Sequence, residues 1–176
     1  MQYNVTILDK EADTQRIREH LQWWTDQTKR EKHMLKVTPE SLERELLVAV
    51  LVFSDTNIVG AAAIVHARNK SNKEIYHDGK KTVELGSNII TATARNQGLG
   101  QLLIKTRLEV CAQRNWFPVS VTTNPIIQEI FRKMSASPMD KHPQLKNLRE
   151  QLCICSEQNS SCTMCPHREK GAWTFA

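Results

Sequence analysis

Hydrophobic and polar residues along this chain repeat with two different periods, and the switches between them divide it into short elements. Tyr3 to Leu8, "YNVTIL", alternates with period two and predicts a strand, after which Ile17, Leu21 and Trp24 recur at helical steps. Thr38-Pro39-Glu40 has the form of an N-cap, a first-turn proline and an acid ahead of Leu42 and Leu46, which predicts a second helix. Val48–Phe53 and Ile58–Val65 are β-rich runs separated by Ser54-Asp55-Thr56-Asn57, the pattern of a hairpin. A basic loop over residues 66–81 leads to a further strand, Thr82–Ala92. Leu99, Leu102, Leu103, Thr106 and Val110 then mark one face of a long helix ending near Arg114. Pro118–Thr122 is strand-like, and Asn124-Pro125 repeats the cap-plus-proline signature before Ile126, Ile127, Ile130, Phe131 and Met134 on a helical face. The order β-α-α-β-β-β-α-β-α predicts an α/β protein with a mixed sheet flanked by helices.

Composition changes this picture little. The chain has 176 residues, 40% of them hydrophobic, enough for one sizeable core and short for two independent ones. The net charge of +5 is not gathered into a block. Residues 10–47 balance eight acids against eight Lys or Arg, whereas residues 66–81 carry five bases and two acids. A polyanionic small ligand accounts for that local excess as well as a nucleic acid would, so no nucleic-acid partner is expected. No apolar run reaches membrane-spanning length and no signal-peptide pattern is present, so the expectation is a cytoplasmic protein that does not engage a membrane.

The chemistry suggested by the sequence centres on "ARNQGLGQLL", Ala94 to Leu103, where two glycines stand between a strand-like and a helix-like run. Glycines at that joint leave the backbone N–H groups of the first helical turn accessible, with the positive end of the helix dipole behind them, and so form a phosphate cradle. Three glycines spaced as in a dinucleotide fold are absent, as is the lysine of a nucleotide-triphosphate loop. What stands here is R-x-x-G-x-G, Arg95 through Gly100. The plainer reading of the two glycines is a tight turn.

In this position and order of elements, the motif resembles the acyl-CoA pyrophosphate loop of the GCN5-related N-acetyltransferase (GNAT) superfamily, over roughly residues 3–135. The resemblance implies a mostly antiparallel sheet and an N-acetyltransferase that moves an acetyl group from acetyl-CoA to an amine by direct attack in a ternary complex. It implies that the backbone of Ile89, Ile90 and Thr91 pairs with the pantetheine arm. Arg95, Asn96, Gln97, Gly98, Leu99, Gly100 and Gln101 would then hold the pyrophosphate, and Asn124 would contact the pantetheine besides capping its helix. Glu84, eleven positions before Arg95, resembles the placement of the family's general-base glutamate. Its alternative is a solvated strand end paired to Lys80 or Lys81. The family's tyrosine general acid has no counterpart, because Phe131 occupies that place and also reads as plain core. Trp23 and Trp24 line the acceptor pocket or pack on the sheet; His66 is a second base or a satisfied strand-end histidine. Cys111 reads as a buried apolar residue. The acceptor is a small-molecule or peptide amine, and a homodimer is left open.

The last quarter departs from the family. Residues 1–140 are assigned to the acyl-CoA-binding domain and 141–176 to a Cys-rich tail packed on it. Family domains usually finish with two strands, but residues 136–176 offer no comparable pair of β-rich runs, only a short helix at Leu145, Leu148 and Leu152. "CICSEQNSSCTMCPH" then places Cys153, Cys155, Cys162, Cys165 and His167 within fifteen residues. Cys162-x-x-Cys165 has zinc-site spacing and Cys153-x-Cys155 is tighter, so structural Zn²⁺ is expected, with disulfides, free thiols or an iron–sulfur cluster as alternatives. A second functional class follows: a catalytically degenerate acyl-CoA-binding module whose zinc-bound tail docks a protein or nucleic-acid partner.

Overall fold

The computed structural model describes residues 2–31, 37–69, 71–122, 124–152 and 172–175. Its strands are β1 (Tyr3–Asp9), β2 (Leu46–Ser54), β3 (Asn57–His66), β4 (Tyr76–His77), β5 (Lys80–Ile90), β6 (Phe117–Val121), β7 (Ser137–Pro138) and β8 (Ala172–Thr174). Its helices are α1 (Thr14–Arg30), α2 (Pro39–Glu45), α3 (Leu99–Gln113), α4 (Pro125–Lys133) and α5 (Lys146–Gln151). They gather into two compact units, one of Met1–Val65 with Leu85–Val110 and the other of His66–Glu84 with Cys111–Ala176. Strand β5 runs from the second into the first.

The first unit has the strand order β1-β2-β3-β5, with β1 and β2 antiparallel from Tyr3↔Ser54 to Asp9↔Val48 and β2 antiparallel to β3 around the expected hairpin. Helix α2 starts where the sequence says it should. The Thr38 side chain accepts from Ser41 N–H, Ser41 Oγ accepts from Thr38 N–H, and Pro39 fills the first turn, a reciprocal capping box. The helices bury Ile17, Leu21, Trp24 and Leu42 against Leu8, Leu46, Ala49, Leu51, Ala61, Ala63 and Ile89, with Trp23 packed at the margin. Trp24 is thus core, and Trp23 packs partly buried beside it, which is the plainer of the two readings. In strand β1 the face of Thr6 and Leu8 turns inward, and Val5 and Ile7 on the other face are 38% and 47% exposed.

The second unit has the order β5-β6-β8-β7 and contains the one parallel ladder described, Thr82↔Phe117 to Glu84↔Val119. Residues 66–81, expected as a loop, are organised. Asn69 Oδ1 accepts from Ser71 and Lys73 N–H, and Asp78-Gly79, with φ of +48° and +74°, turns β4 into β5. Positive φ at both central residues is the requirement of the tight hairpin turn that Asp-Gly favours. The expectation that residues 136–176 hold no strand pair is corrected: β7 and β8 pair antiparallel and β8 adds to β6. They are two and three residues long, too short to leave a periodic signal. Leu145, Leu148 and Leu152 form the expected helical face and bury with Ile75, Val119, Met139 and Ala172. Phe131 is 1% exposed and meets Trp173 and Phe175 at ring-centroid distances of 5.7 and 4.9 Å, so it is core. Ile126, placed by periodicity on the same apolar face, is 70% exposed, since it lies in the first turn of α4 where the helix has just begun. Among the described residues no helix is long and apolar enough to cross a membrane.

Candidate functional site

The glycine motif stands at a strand-to-helix joint, as its spacing suggests. After Ile90 the chain makes one turn of 3₁₀ helix at Ala92–Ala94, and Thr91 N–H donates to Val59 C=O at 2.9 Å, which ties the end of the strand to β3. Asn96 and Gly98 both take left-handed backbone, φ +63° and +76°. Gly98 C=O accepts from Leu102 N–H at 3.1 Å, the first bond of α3. The amides of Leu99, Gly100 and Gln101 therefore precede the helical ladder and are not consumed by it. Residues 95–98 are exposed, and a Cβ built on Gly98 meets nothing within 4 Å. Glycine is needed at 98 for its φ rather than for room.

Arg95, the charged end of the motif, is engaged on the protein itself. Its guanidinium pairs with Glu31 at the C-terminal cap of α1, and its Nε donates to Ile90 C=O at 3.4 Å. Arg95 thereby fastens the loop to α1. Within the first unit, the Leu85–Ile90 half of β5 is the last strand of the order, so one of its sides faces away from β3. Two residues there carry features that periodicity does not show. Ser87 has φ +48°, a left-handed residue inside the strand, and Asn88 Oδ1 is buried without a hydrogen-bond partner among the described residues.

In the second unit, Glu84 closes the parallel ladder opposite Val119. Its side chain is partly buried, and no hydrogen bond or ion pair from the described residues reaches its carboxylate. Desolvation, with no opposing charge, pushes its carboxyl from 4.5 up to about 7. The lysines that would have made it a solvated strand end are elsewhere. Lys81 Nζ pairs with Glu74 at 2.6 Å, and Lys80 is exposed at the hairpin. Glu74 also faces His66 Nδ1 at 2.9 Å and accepts from Tyr76 Oη at 3.1 Å, so His66 belongs to a surface cluster. The Lys81 ammonium, first among several causes, holds the Glu74 carboxyl below the usual range. Asn124 caps α4, its Oδ1 accepting from Ile126 N–H at 3.0 Å. Cys111 is buried, as expected. No group of His, Cys, Asp or Glu able to hold a metal occurs among the described residues. Cys153, Cys155, Cys162, Cys165 and His167 lie outside them.

Solved structures share this arrangement at low identity. A probable acetyltransferase of unknown function from meticillin-resistant Staphylococcus aureus matches with 12% identity and a TM-score of 0.55, covering 79% of this chain and 92% of that one. A predicted acetyltransferase with acetyl-CoA from Clostridium acetobutylicum matches with 15% identity and a TM-score of 0.53, over 75% and 88%. An aminoglycoside acetyltransferase from an uncultured soil metagenomic sample, in complex with trehalose, matches with 15% identity and a TM-score of 0.51, over 76% and 85%. No curated protein matches. At such identities the structures establish the fold, and the sequence itself carries the rest: residues 13–134 match the acetyltransferase (GNAT) family, most of the chain, and to that family this protein belongs.

Proposed function

We propose that the protein is an acetyl-CoA-dependent N-acetyltransferase in which the start of α3 binds the pyrophosphate and Glu84 is the general base. The observation that carries this reading is the set of amides at Leu99, Gly100 and Gln101, uncommitted to the helix and directly following an exposed left-handed Gly98. A helix N-terminus of this kind fits a polyanionic group, which it holds with N–H donors and the dipole together. Acetyl-CoA, when bound, supplies an acetyl group already activated as a thioester. Asn96, Gln97 and Gly98 continue the cradle, Arg95 braces it through Glu31, and the unpaired side of Ile89, Ile90 and Thr91 receives the pantetheine arm. Asn124 spends its Oδ1 on the helix cap, which leaves its NH₂ for a ligand carbonyl.

A protonated amine has no lone pair with which to attack a carbonyl carbon. Glu84, ionised above about pH 7, accepts that proton, directly or through one water, and the freed lone pair then attacks the carbonyl carbon, forming the C–N bond as the C–S bond breaks. The second amine proton, lost after the C–N bond has formed, passes through water to the departing thiolate, since Phe131 offers no donor. The acceptor is an amine of small-molecule or peptide class. The aminoglycoside acetyltransferases among the structural neighbours act on small-molecule amines, which makes aminoglycosides a first panel to test. We also retain one structural zinc ion on Cys153, Cys155, Cys162 and Cys165, with His167 as substitute ligand, as a proposal from ligand spacing alone. The deciding experiment measures the acetyl-CoA-induced rise in melting temperature together with thiol release across an amine panel. Binding with amine-dependent release supports the reading; no thermal shift at saturating acetyl-CoA overturns it.

A further inference from the structure

Among the described residues, Arg107 is the one charged residue that is fully buried, at 1% exposure. It projects from α3, and three of its hydrogen bonds are made within the first unit. Nε donates to Leu103 C=O at 3.1 Å, while Nη1 donates to Ala63 C=O of β3 at 3.1 Å and to Gly86 C=O of β5 at 3.0 Å. Burying a cation carries a large desolvation cost that is offset only when its N–H groups are well used. An apolar side chain would fill the same space without that cost but would hold none of these carbonyls.

What it holds is the residue just before the left-handed position in β5. Ser87 follows Gly86 and has φ +48°, a region sparsely populated by residues other than glycine and kept only where the surroundings fix it. One nitrogen shared between β3 and β5 locks the two strands together at that point. The guanidinium is planar and rigid, so this lock has a fixed geometry that an ammonium on a flexible stem does not reproduce. A Cβ at Gly86 would meet only Val65 Cγ2 at 3.8 Å, an ordinary contact, so crowding at Gly86 does not account for the bend.

We propose that Arg107 is a positioning residue for the acyl-CoA-binding edge of β5: it fixes the bend at Gly86–Ser87 and so sets the direction in which Asn88 to Thr91 present their backbone groups. The inference rests on the reading of Ile89–Thr91 as the pantetheine edge. Its test compares wild type with Arg107→Lys and Arg107→Met in the full chain, using amide hydrogen exchange of the ligand-free protein and acetyl-CoA affinity by calorimetry. Exchange at residues 87–91 is expected to accelerate at least about tenfold in both variants while β1 and β2 keep their protection. Acetyl-CoA affinity is expected to fall about tenfold or more from the displaced edge. Wild-type exchange at 87–91 with unchanged affinity overturns the proposal. A uniform loss of protection with unchanged affinity also overturns it, because that is a structural role alone. If Arg107→Met does not fold, Arg107→Lys carries the test. If wild type itself fails to bind acetyl-CoA, the functional reading fails, and the exchange comparison still decides whether Arg107 holds the bend.

Discussion

Replacing Glu84 by glutamine separates the cost of a desolvated carboxylate from its use. A carboxyl moved from 4.5 to about 7 by desolvation alone makes the folded state a poorer host for the charged form than the unfolded chain is. At about 1.4 kcal/mol per pH unit, a rise of that size amounts to roughly 3 kcal/mol. The sign follows from proton counting. Below about pH 4.5 both states are protonated and Glu84 has no effect. Between there and about pH 7 the folded protein keeps a proton that the unfolded chain has shed, so stability falls as pH rises. Above about pH 7 both are ionised and the folded state bears the whole cost. Glu84→Gln removes the titration while keeping the shape, so the variant is expected to match wild type near pH 4 and to exceed it at pH 8 by up to roughly 3 kcal/mol. Urea unfolding at constant ionic strength across that range measures the difference directly, because other titrating groups cancel between the two proteins. Parallel stability curves from pH 4 to pH 8 would refute the desolvated carboxyl. With it would go the ground for a base tuned to neutral pH.

The same variant is expected to lose about 10²–10⁴-fold in turnover at near-unchanged acetyl-CoA affinity, and wild-type activity is expected to rise with pH through about 7; full activity in Glu84→Gln at neutral pH would remove the base role. Gly98→Ala adds a Cβ in open space at φ +76°, so a stability loss of about 1–2 kcal/mol from backbone strain is expected in thermal unfolding, together with a smaller acetyl-CoA-induced shift. Phe131→Ala is expected to cost about 3–5 kcal/mol in chemical denaturation by emptying the space beside Trp173 and Phe175. Phe131→Tyr is expected not to raise turnover, since a hydroxyl in that core finds no reacting group. Elemental analysis is expected to find about one zinc per chain, and Cys165→Ser to remove it without weakening acetyl-CoA binding; metal-free protein, or an intact mass lowered by two disulfides, would exclude the site.

Elements announced by local chemistry were legible in the sequence. The caps at Thr38 and Asn124 form because a side-chain oxygen and a following proline satisfy the first helical amides, whatever surrounds them. The hairpin at residues 54–57 and the glycine joint before α3 have the same character. Asp78-Gly79 carried an equally local signal that the basic loop around it obscured. What could not be read is what long-range pairing decides. Strand β8 exists because β6 and β7 offer it partners, and three residues carry no periodicity of their own. Val5 and Ile7 alternate like a buried strand and yet are exposed, since alternation records a pleat and not what covers it.

The site shows the same division at the level of single residues. Glu84 could be picked out by its place in the chain, but whether it was a paired surface carboxylate or a desolvated one depended on where two lysines went. Lys81 went to Glu74, seven residues away in sequence, and no charge among the described residues compensates Glu84. Arg107 gave no sign at all. An arginine beside Thr106 on a helix with an apolar face reads as the polar margin of that face, and nothing local distinguishes it from one pointing into water. Its role is created by two carbonyls brought to it from residues 44 and 21 positions away. Residues whose chemistry is consumed by neighbours in sequence can therefore be assigned from sequence, whereas a charge that acts by being buried acquires its function only when the strands it joins have been folded around it.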